Sequence, residues 1–232
     1  MSTVAWNDEV RQIEITSAPD YASTPIAQID EIADWLRLDD ATCQYPALRR
    51  LQAVAVGIIE RITWRKLLPT GITLWLDWLP QTGPVSLTAN LGNNEPYQTD
   101  GAIVLASGPV IDVTAIRYFD QDSNESTLDA SSYRVDKKGA GWKARVYPAD
   151  ATTGSASWAG LLGTDLRASA SVAIDYTAGY ADAASVPPQL VHAIHMLVAH
   201  LYSSRGDCGD DAACAKACGA MGLIAPFRLT QS

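Results

Sequence analysis

The spacing of apolar residues changes twice along this chain, and those two changes limit the folds open to it. Leu48, Leu51, Ala55, Ile58, Ile59 and Ile62 recur at helical intervals, with Arg49, Arg50, Glu60 and Arg61 off the stripe. From Gly71 the period becomes two: Ile72, Leu74, Leu76 and Trp78 alternate with Thr73, Trp75 and Asp77. After Pro187 it returns to helical, with Leu190, Ile194, Leu197, Val198 and Leu201 on one stripe. Helix, strands and helix in that order predict an α+β fold. A small bundle of three main helices carries an antiparallel sheet or barrel unit inserted between its second and third helices.

The punctuation residues give provisional boundaries. Thr24-Pro25 reads as a helix start with Pro at the first helical position, followed by the stripe Ile29, Ile32, Ala33 and Leu36. Asp30, Glu31 and Asp34 suit the early turns of that helix, where the dipole favours acids. The second helix follows Pro46 and runs to about residue 67, where Leu-Leu-Pro-Thr-Gly stops it. Further strands are expected over 85–89, 102–105, 110–119, 132–136, 143–147 and 171–177. Asp120-Gln-Asp-Ser-Asn-Glu-Ser reads as a turn. The 148–168 stretch is a long small-residue loop, and Trp158, Leu161 and Leu162 make it a candidate interface loop. The third helix spans 187–203. The resulting organisation is an N-terminal arm over 1–23, a helical bundle over 24–69 and 183–205, an inserted β domain over 70–182, and an extended C-terminal tail over 206–232.

With 232 residues, 47% hydrophobic and 19% charged, the chain is long and apolar enough for a sizeable core. It has no apolar run of membrane-spanning length, and its start has neither a basic n-region nor an apolar h-region, which points to a cytoplasmic product. The net charge is −9: −3 over 1–69, −6 over 70–182 and zero over 183–232. That balance excludes a basic grip on nucleic acid. It is compatible with a wall past which DNA slides, and equally with acidity for solubility.

The chemical motifs give little. His192, His195 and His200 project at about 200°, 140° and 280° from Leu190 on a helical wheel, so His195 and His200 cannot close on one metal. Cys208, Cys214 and Cys218 are spaced C-x₅-C-x₃-C, wider than the usual zinc pairs, and free buried thiols fit a reducing compartment. Glu60 has no second carboxylate at catalytic spacing, and Arg61 and Arg65 are its expected partners. No nucleophile elbow, P-loop or zincin motif occurs. The reading is therefore of a protein that is not an enzyme, with no cofactor and no metal.

The end of the chain is different in kind. Met221-Gly-Leu-Ile-Ala-Pro-Phe-Arg228 is too short to make a core and too apolar to be a solvated terminus. Taken with Trp35-Leu-Arg-Leu-Asp-Asp40, Ile59-Glu60, Arg65-Lys-Leu-Leu68, Pro109-Val-Ile-Asp-Val-Thr-Ala-Ile-Arg-Tyr-Phe119, Ser132-Tyr-Arg-Val-Asp136, Tyr176-Thr-Ala-Gly-Tyr180, Val186-Pro-Pro188 and Leu197-Val-Ala-His-Leu-Tyr202, it resembles the head–tail connector, or adaptor, family of long-tailed bacteriophages and gene transfer particles. The likeness covers about residues 25–228. It implies a structural virion protein of the neck, present in the host cytoplasm during assembly, that forms a dodecameric ring under the portal. Such a ring extends the DNA channel, touches DNA only as passing cargo, involves no membrane, and gives stopper or tail proteins a surface to attach to. It also implies that the tail reaches the portal protein, with Met221, Leu223, Ile224, Pro226 and Phe227 as anchors and Arg228 placed for a contact with portal carboxylates.

Two other readings have particular residues behind them. A carbohydrate- or protein-binding module built on the Trp-rich β unit would need Trp75, Trp78, Trp142 and Trp158 on one face. Trp75 and Trp78 have opposite strand parity, which counts against it. A metal-dependent hydrolase would rest on His192 and His195.

Overall fold

The computed structural model describes residues 11–21, 23–38, 44–77, 82–85, 97–100, 102–137, 143–149, 158–162, 165–204 and 209–229. Its helices are α1 (Ile29–Trp35), α2 (Tyr45–Thr63), α3 (Trp158–Leu162), α4 (Pro188–Ser203), α5 (Asp211–Ala217) and α6 (Met221–Ile224). Its strands are β1 (Arg11–Ser17), β2 (Thr70–Leu76), β3 (Thr82–Val85), β4 (Tyr97–Asp100), β5 (Ile103–Val104), β6 (Val110–Phe119), β7 (Glu125–Thr127), β8 (Tyr133–Asp136), β9 (Arg145–Pro148) and β10 (Val172–Ala178). The fold is α+β. All strand pairs are antiparallel, and the sheets are open: five strands in the order β1-β2-β10-β6-β7, three in the order β5-β9-β8, and the hairpin β3-β4.

The two period changes correspond to two cores. The stripe of α2 packs Leu48, Ala55, Ile58 and Ile59 against Leu190, Ile194, Leu197, Val198 and Leu201 of α4, with Ile32 and Ala33 of α1 beside them. Each Leu, Ile or Val among them contributes about 1.5–3 kcal/mol when fully buried. The second core lies on one face of the five-stranded sheet. Ile72, Leu74 and Leu76 of β2, Val172, Ile174 and Tyr176 of β10, and Ile116 of β6 cluster there with Ile103, Val146, Trp158 and Leu162. Burial pushes the Tyr176 hydroxyl up to about 12, and that oxygen accepts a hydrogen bond from the Ser107 amide at 3.2 Å.

Several boundaries differ from the sequence expectation, each for a physical reason. The first helix begins at Ile29 rather than at Pro25, because Gln52 Nε2 donates to the Ala27 carbonyl at 2.7 Å and holds the preceding segment against α2. The second helix ends at Thr63 rather than near 67. Trp64 there adopts a left-handed conformation, and the Thr63 carbonyl accepts from Leu229 N at 2.9 Å. Within the 1–23 arm, residues 11–17 are an edge strand paired to β2. The turn after Phe119 leads into a short strand, β7, that pairs back onto β6. Of the expected strand over 85–89, residues 86–89 lie outside the described residues, as do Trp78, Trp142, Cys43 and Cys208.

The other face of the large sheet carries an ion-paired cluster beside the stacked rings of Trp75 and Phe119. Arg117 donates to both oxygens of Asp175, at 2.6 and 3.0 Å, and Thr73 Oγ1 donates to Asp175 at 2.5 Å. Burial pushes the Asp175 carboxyl up, but these hydrogen bonds outweigh it and hold the group below the ordinary carboxylate range. A folded value below the unfolded one means that the stabilisation is complete above the unfolded pKa and is lost as pH falls through the folded one. Asp175→Asn is therefore expected to cost about 1 kcal/mol at pH 7 and progressively less below about pH 4. Urea melts at pH 7 and pH 2.5 test this, and an equal cost at both would overturn it.

The two cores meet where the chain leaves and re-enters the helical part. The Lys66 amide donates to Gly108 O at 2.8 Å and the Gly108 amide to Trp64 O at 3.2 Å. Gly179 ends β10 with φ +136°, and its amide donates to Pro109 O at 2.8 Å. A Cβ at Gly179 would stand 2.2 Å from the Leu68 carbonyl oxygen, so only glycine allows the backbones to approach this closely.

Candidate functional site

The C-terminal segment is not an extended tail. Asp210 caps α5 by accepting from the Ala213 amide at 2.7 Å, and Cys214 and Ala215 are buried in the helical core. Gly219, at φ +79°, turns the chain out of α5, and Ala220 and Ile224 enter the same core. A 3₁₀ turn, Ala225–Phe227, follows α6. The physical reason for the folding back is that the apolar residues find their partner within the chain, against α2 and α4.

Polar contacts fix the segment at both ends. Arg61 of α2 forms a two-point ion pair with Asp211, the Nη2 contact being 2.9 Å. Arg65 is buried, and its Nε donates to the Phe227 carbonyl at 2.5 Å. Leu229 is buried, and a Cβ at Gly108 would stand 3.2 Å from its Cδ1. Of the expected anchors, Ile224 is fully buried against the chain's own core. Met221, Leu223 and Phe227 are half-buried against it, and Pro226 and Arg228 are exposed. Gly222 and Ala225 are exposed beside them.

Trp158, Leu161 and Leu162 behave differently from an interface loop. Trp158 is 1% exposed and Leu162 is buried, both in the core under the large sheet, with Leu161 packed against it. Trp158 is thereby removed from any surface platform of tryptophans.

Glu60 is a structural hub. Its carboxylate accepts from Tyr21 Oη, from Lys66 Nζ at 2.9 Å and from the Leu67 amide at 2.9 Å. Burial, followed by the charge of Glu60, drives the Tyr21 hydroxyl well above its ordinary pKa, so Tyr21 stays a donor. Arg61 and Arg65, expected to pair with Glu60, direct their hydrogen bonds to the C-terminal segment, and Arg61 feels the Glu60 charge only as a lesser influence beside Asp211. Nothing local announces those roles: Arg61 and Asp211 lie 150 residues apart, and Arg65 and Phe227 162.

The histidines frame an aromatic side chain. His192 meets the half-exposed Trp35 edge-on at 5.2 Å, and His195 stacks on it at 6.0 Å. Burial pushes His195 down. Among the described residues no three His, Cys, Asp or Glu are grouped to hold a metal. Cys214 is disulfide-bonded, so the expected free thiol is not what the structure has there, and Cys218 is free. Among the described residues no helix is long and apolar enough to cross a membrane.

Fold and surface together define a helix-framed β protein whose prominent features are sheet edges and an anchored terminal segment. This is the fold of neck components of phage-like particles. The chain matches a chain of the neck of an empty gene transfer agent particle computed with C6 symmetry, with a TM-score of 0.67 and 23% identity over 95% of this chain and 97% of that one. It matches one from the neck of the native particle computed with C12 symmetry at a TM-score of 0.64, with 23% identity over 95% and 97%. A chain of the virion of the native particle follows at 0.61, with 21% identity over 95% and 96%. No protein-family model matches the sequence. A comparison with curated proteins likewise finds no match.

Proposed function

We propose that this chain is a structural neck protein, a head–tail connector that assembles as a ring beneath the portal, extends the DNA channel and offers the next neck or tail protein its seat. The observation that carries this reading is the full-length fold match to chains of necks computed with C6 and C12 symmetry. The charge supports it: an excess of nine acidic groups disfavours sticking to DNA phosphates, as a conduit requires. On this reading the protein works in the virion neck and is not an enzyme.

The portal contact is assigned to the outward side of the C-terminal segment. Ile224 holds the segment on the helical core and the Leu229 amide ties its end to the Thr63 carbonyl, while Pro226, Arg228 and the accessible parts of Met221, Leu223 and Phe227 face outward. Arg228 can supply a charge-assisted hydrogen bond to portal carboxylates, worth about 1.5–3 kcal/mol. Arg228→Glu is therefore expected to weaken binding to purified portal at least about tenfold and to leave the melting temperature unchanged. Biolayer interferometry against portal rings, with electron microscopy of the complex, tests this. Unchanged affinity in Arg228→Glu removes the tail assignment. A wild-type chain that fails to bind portal rings or to occupy particle necks removes the connector reading itself.

A further inference from the structure

We propose that successive copies of this chain join through the five-stranded sheet, the outer edge of β1 in one copy seating against the first half of β6 in the next. The inference rests on the connector reading and gives its ring a subunit contact.

One side of this contact is β1. It ends the sheet, and among the described residues no strand pairs with its outer side. Ile13 is 43% and Ile15 51% exposed, yet they stand opposite Leu74 and Ile72 of β2, which are 0% and 1% exposed. The core-facing row thus continues onto β1 and is left uncovered there. The strand reads Arg-Gln-Ile-Glu-Ile-Thr-Ser, without Lys or Pro, and its one irregularity, between Ile15 and Ser17, lies at its end and leaves the run from Arg11 to Ile15 in register.

The other side is the opposite margin of the same sheet. β7 pairs with β6 only across Arg117, Tyr118 and Phe119, so among the described residues no strand pairs with the outer side of β6 over 110–115, where the Lys137 side chain, which a seated strand would displace, donates to the Ile111 carbonyl. Ile111 lies there at a register shift, without a partner on β10, and is 40% exposed. Asp112 and Thr114 beside it are exposed. Of the six large apolar side chains exposed among the described residues, Ile13, Ile15 and Ile111 make up the set found at these two edges.

Direction and symmetry favour a second copy as the occupant. Each neighbour in β1-β2-β10-β6 is antiparallel to the last, so β1 and β6 run in opposite senses. Placing sheets side by side therefore brings β1 of one copy antiparallel to β6 of the next, the pairing that adds a strand to an edge. Such a contact uses two different surfaces and repeats, which closes into a ring or runs on as a filament, whereas β1 against β1 stops at a dimer. Chains of the same fold occur in necks with C6 and C12 symmetry.

Cysteine cross-linking tests the contact. Ile13→Cys and Ile111→Cys variants are prepared separately, then oxidised alone and mixed, with and without portal rings, beside the wild type as the control for its own cysteines. The expected result is a cross-linked dimer only in the mixture, and a ladder of multimers in the double variant Ile13→Cys/Ile111→Cys. Ile13→Lys/Ile15→Lys should melt like the wild type and lose its multimers on native mass spectrometry. Cross-linking of Ile13→Cys alone identifies a closed β1–β1 dimer and overturns the proposal, as does the absence of a mixed dimer. Portal binding without the mixed dimer would sink this contact and spare the connector reading. The mixed dimer without portal binding would do the reverse.

Discussion

Gly179→Ala is expected to destabilise the protein by about 4 kcal/mol, near the upper end for a single substitution. Two effects add. At φ +136° an L side chain is strained, at a cost of about 1–3 kcal/mol. The new Cβ would also meet the Leu68 carbonyl oxygen at 2.2 Å, its carbon at 2.4 Å and Pro69 N at 2.9 Å. All three are backbone atoms, so no side chain can swing aside. Relief requires the end of β10 to leave the Leu68–Pro69 backbone, and that movement would break the Gly179–Pro109 hydrogen bond as well. Thermal unfolding should show a drop of about 10 °C, or the protein should be recovered only as aggregate. Gly222→Ala is the control, because a Cβ there meets nothing within 4 Å. A Gly179→Ala protein that melts within about 2 °C of the wild type would show that the close approach relaxes freely.

Glu60→Ala should cost about 3 kcal/mol. The carboxylate is 9% exposed and accepts from three donors: Tyr21 from the N-terminal part of the chain, and Lys66 and the Leu67 amide just past the end of α2. Removing it leaves an ammonium that is only 19% exposed without its counter-charge, and a buried amide without its acceptor. Glu60→Gln keeps an acceptor oxygen and loses the charge, so about half the cost should return. Urea denaturation of the three proteins measures this, and equal stability of Glu60→Ala and the wild type would refute the hub. Hydrogen exchange adds a positional check, since the Leu67 amide should lose protection first.

How much of this was legible in the sequence depended on range. The 110–119 strand was found to the residue, because its alternation and its flanking Gly-Pro and Asp-rich turn are local. The α4 stripe was found for the same reason: Leu190, Ile194, Leu197, Val198 and Leu201 are all buried. Failures came where a distant partner decided the outcome. The start of α1 moved because Gln52 reaches the Ala27 carbonyl, and the end of α2 moved where Leu229 takes up the Thr63 carbonyl. β7 was hidden by its polar composition, since Glu-Ser-Thr has little strand propensity apart from the β6 edge it joins. Trp158 was read as an interface residue because a long small-residue stretch surrounds it, whereas what decides its burial is the sheet above it. The C-terminal segment reads as an extended tail because Arg61 and Arg65, which hold it on the chain's own helical core, lie too far along the chain from their partners to be inferred from spacing.

The close contact at Gly179 also bears on how such a chain can change over time. Thr70 begins β2 and Ala178 ends β10, and those two residues are paired across neighbouring strands, so the chain leaves the helical part and returns to it at one place beside Leu68. Units whose ends lie this close can be lengthened, trimmed or exchanged with little effect on their host. A change between Thr70 and Ala178 that kept those two ends in place would thus leave the packing of α2 against α4 as it is.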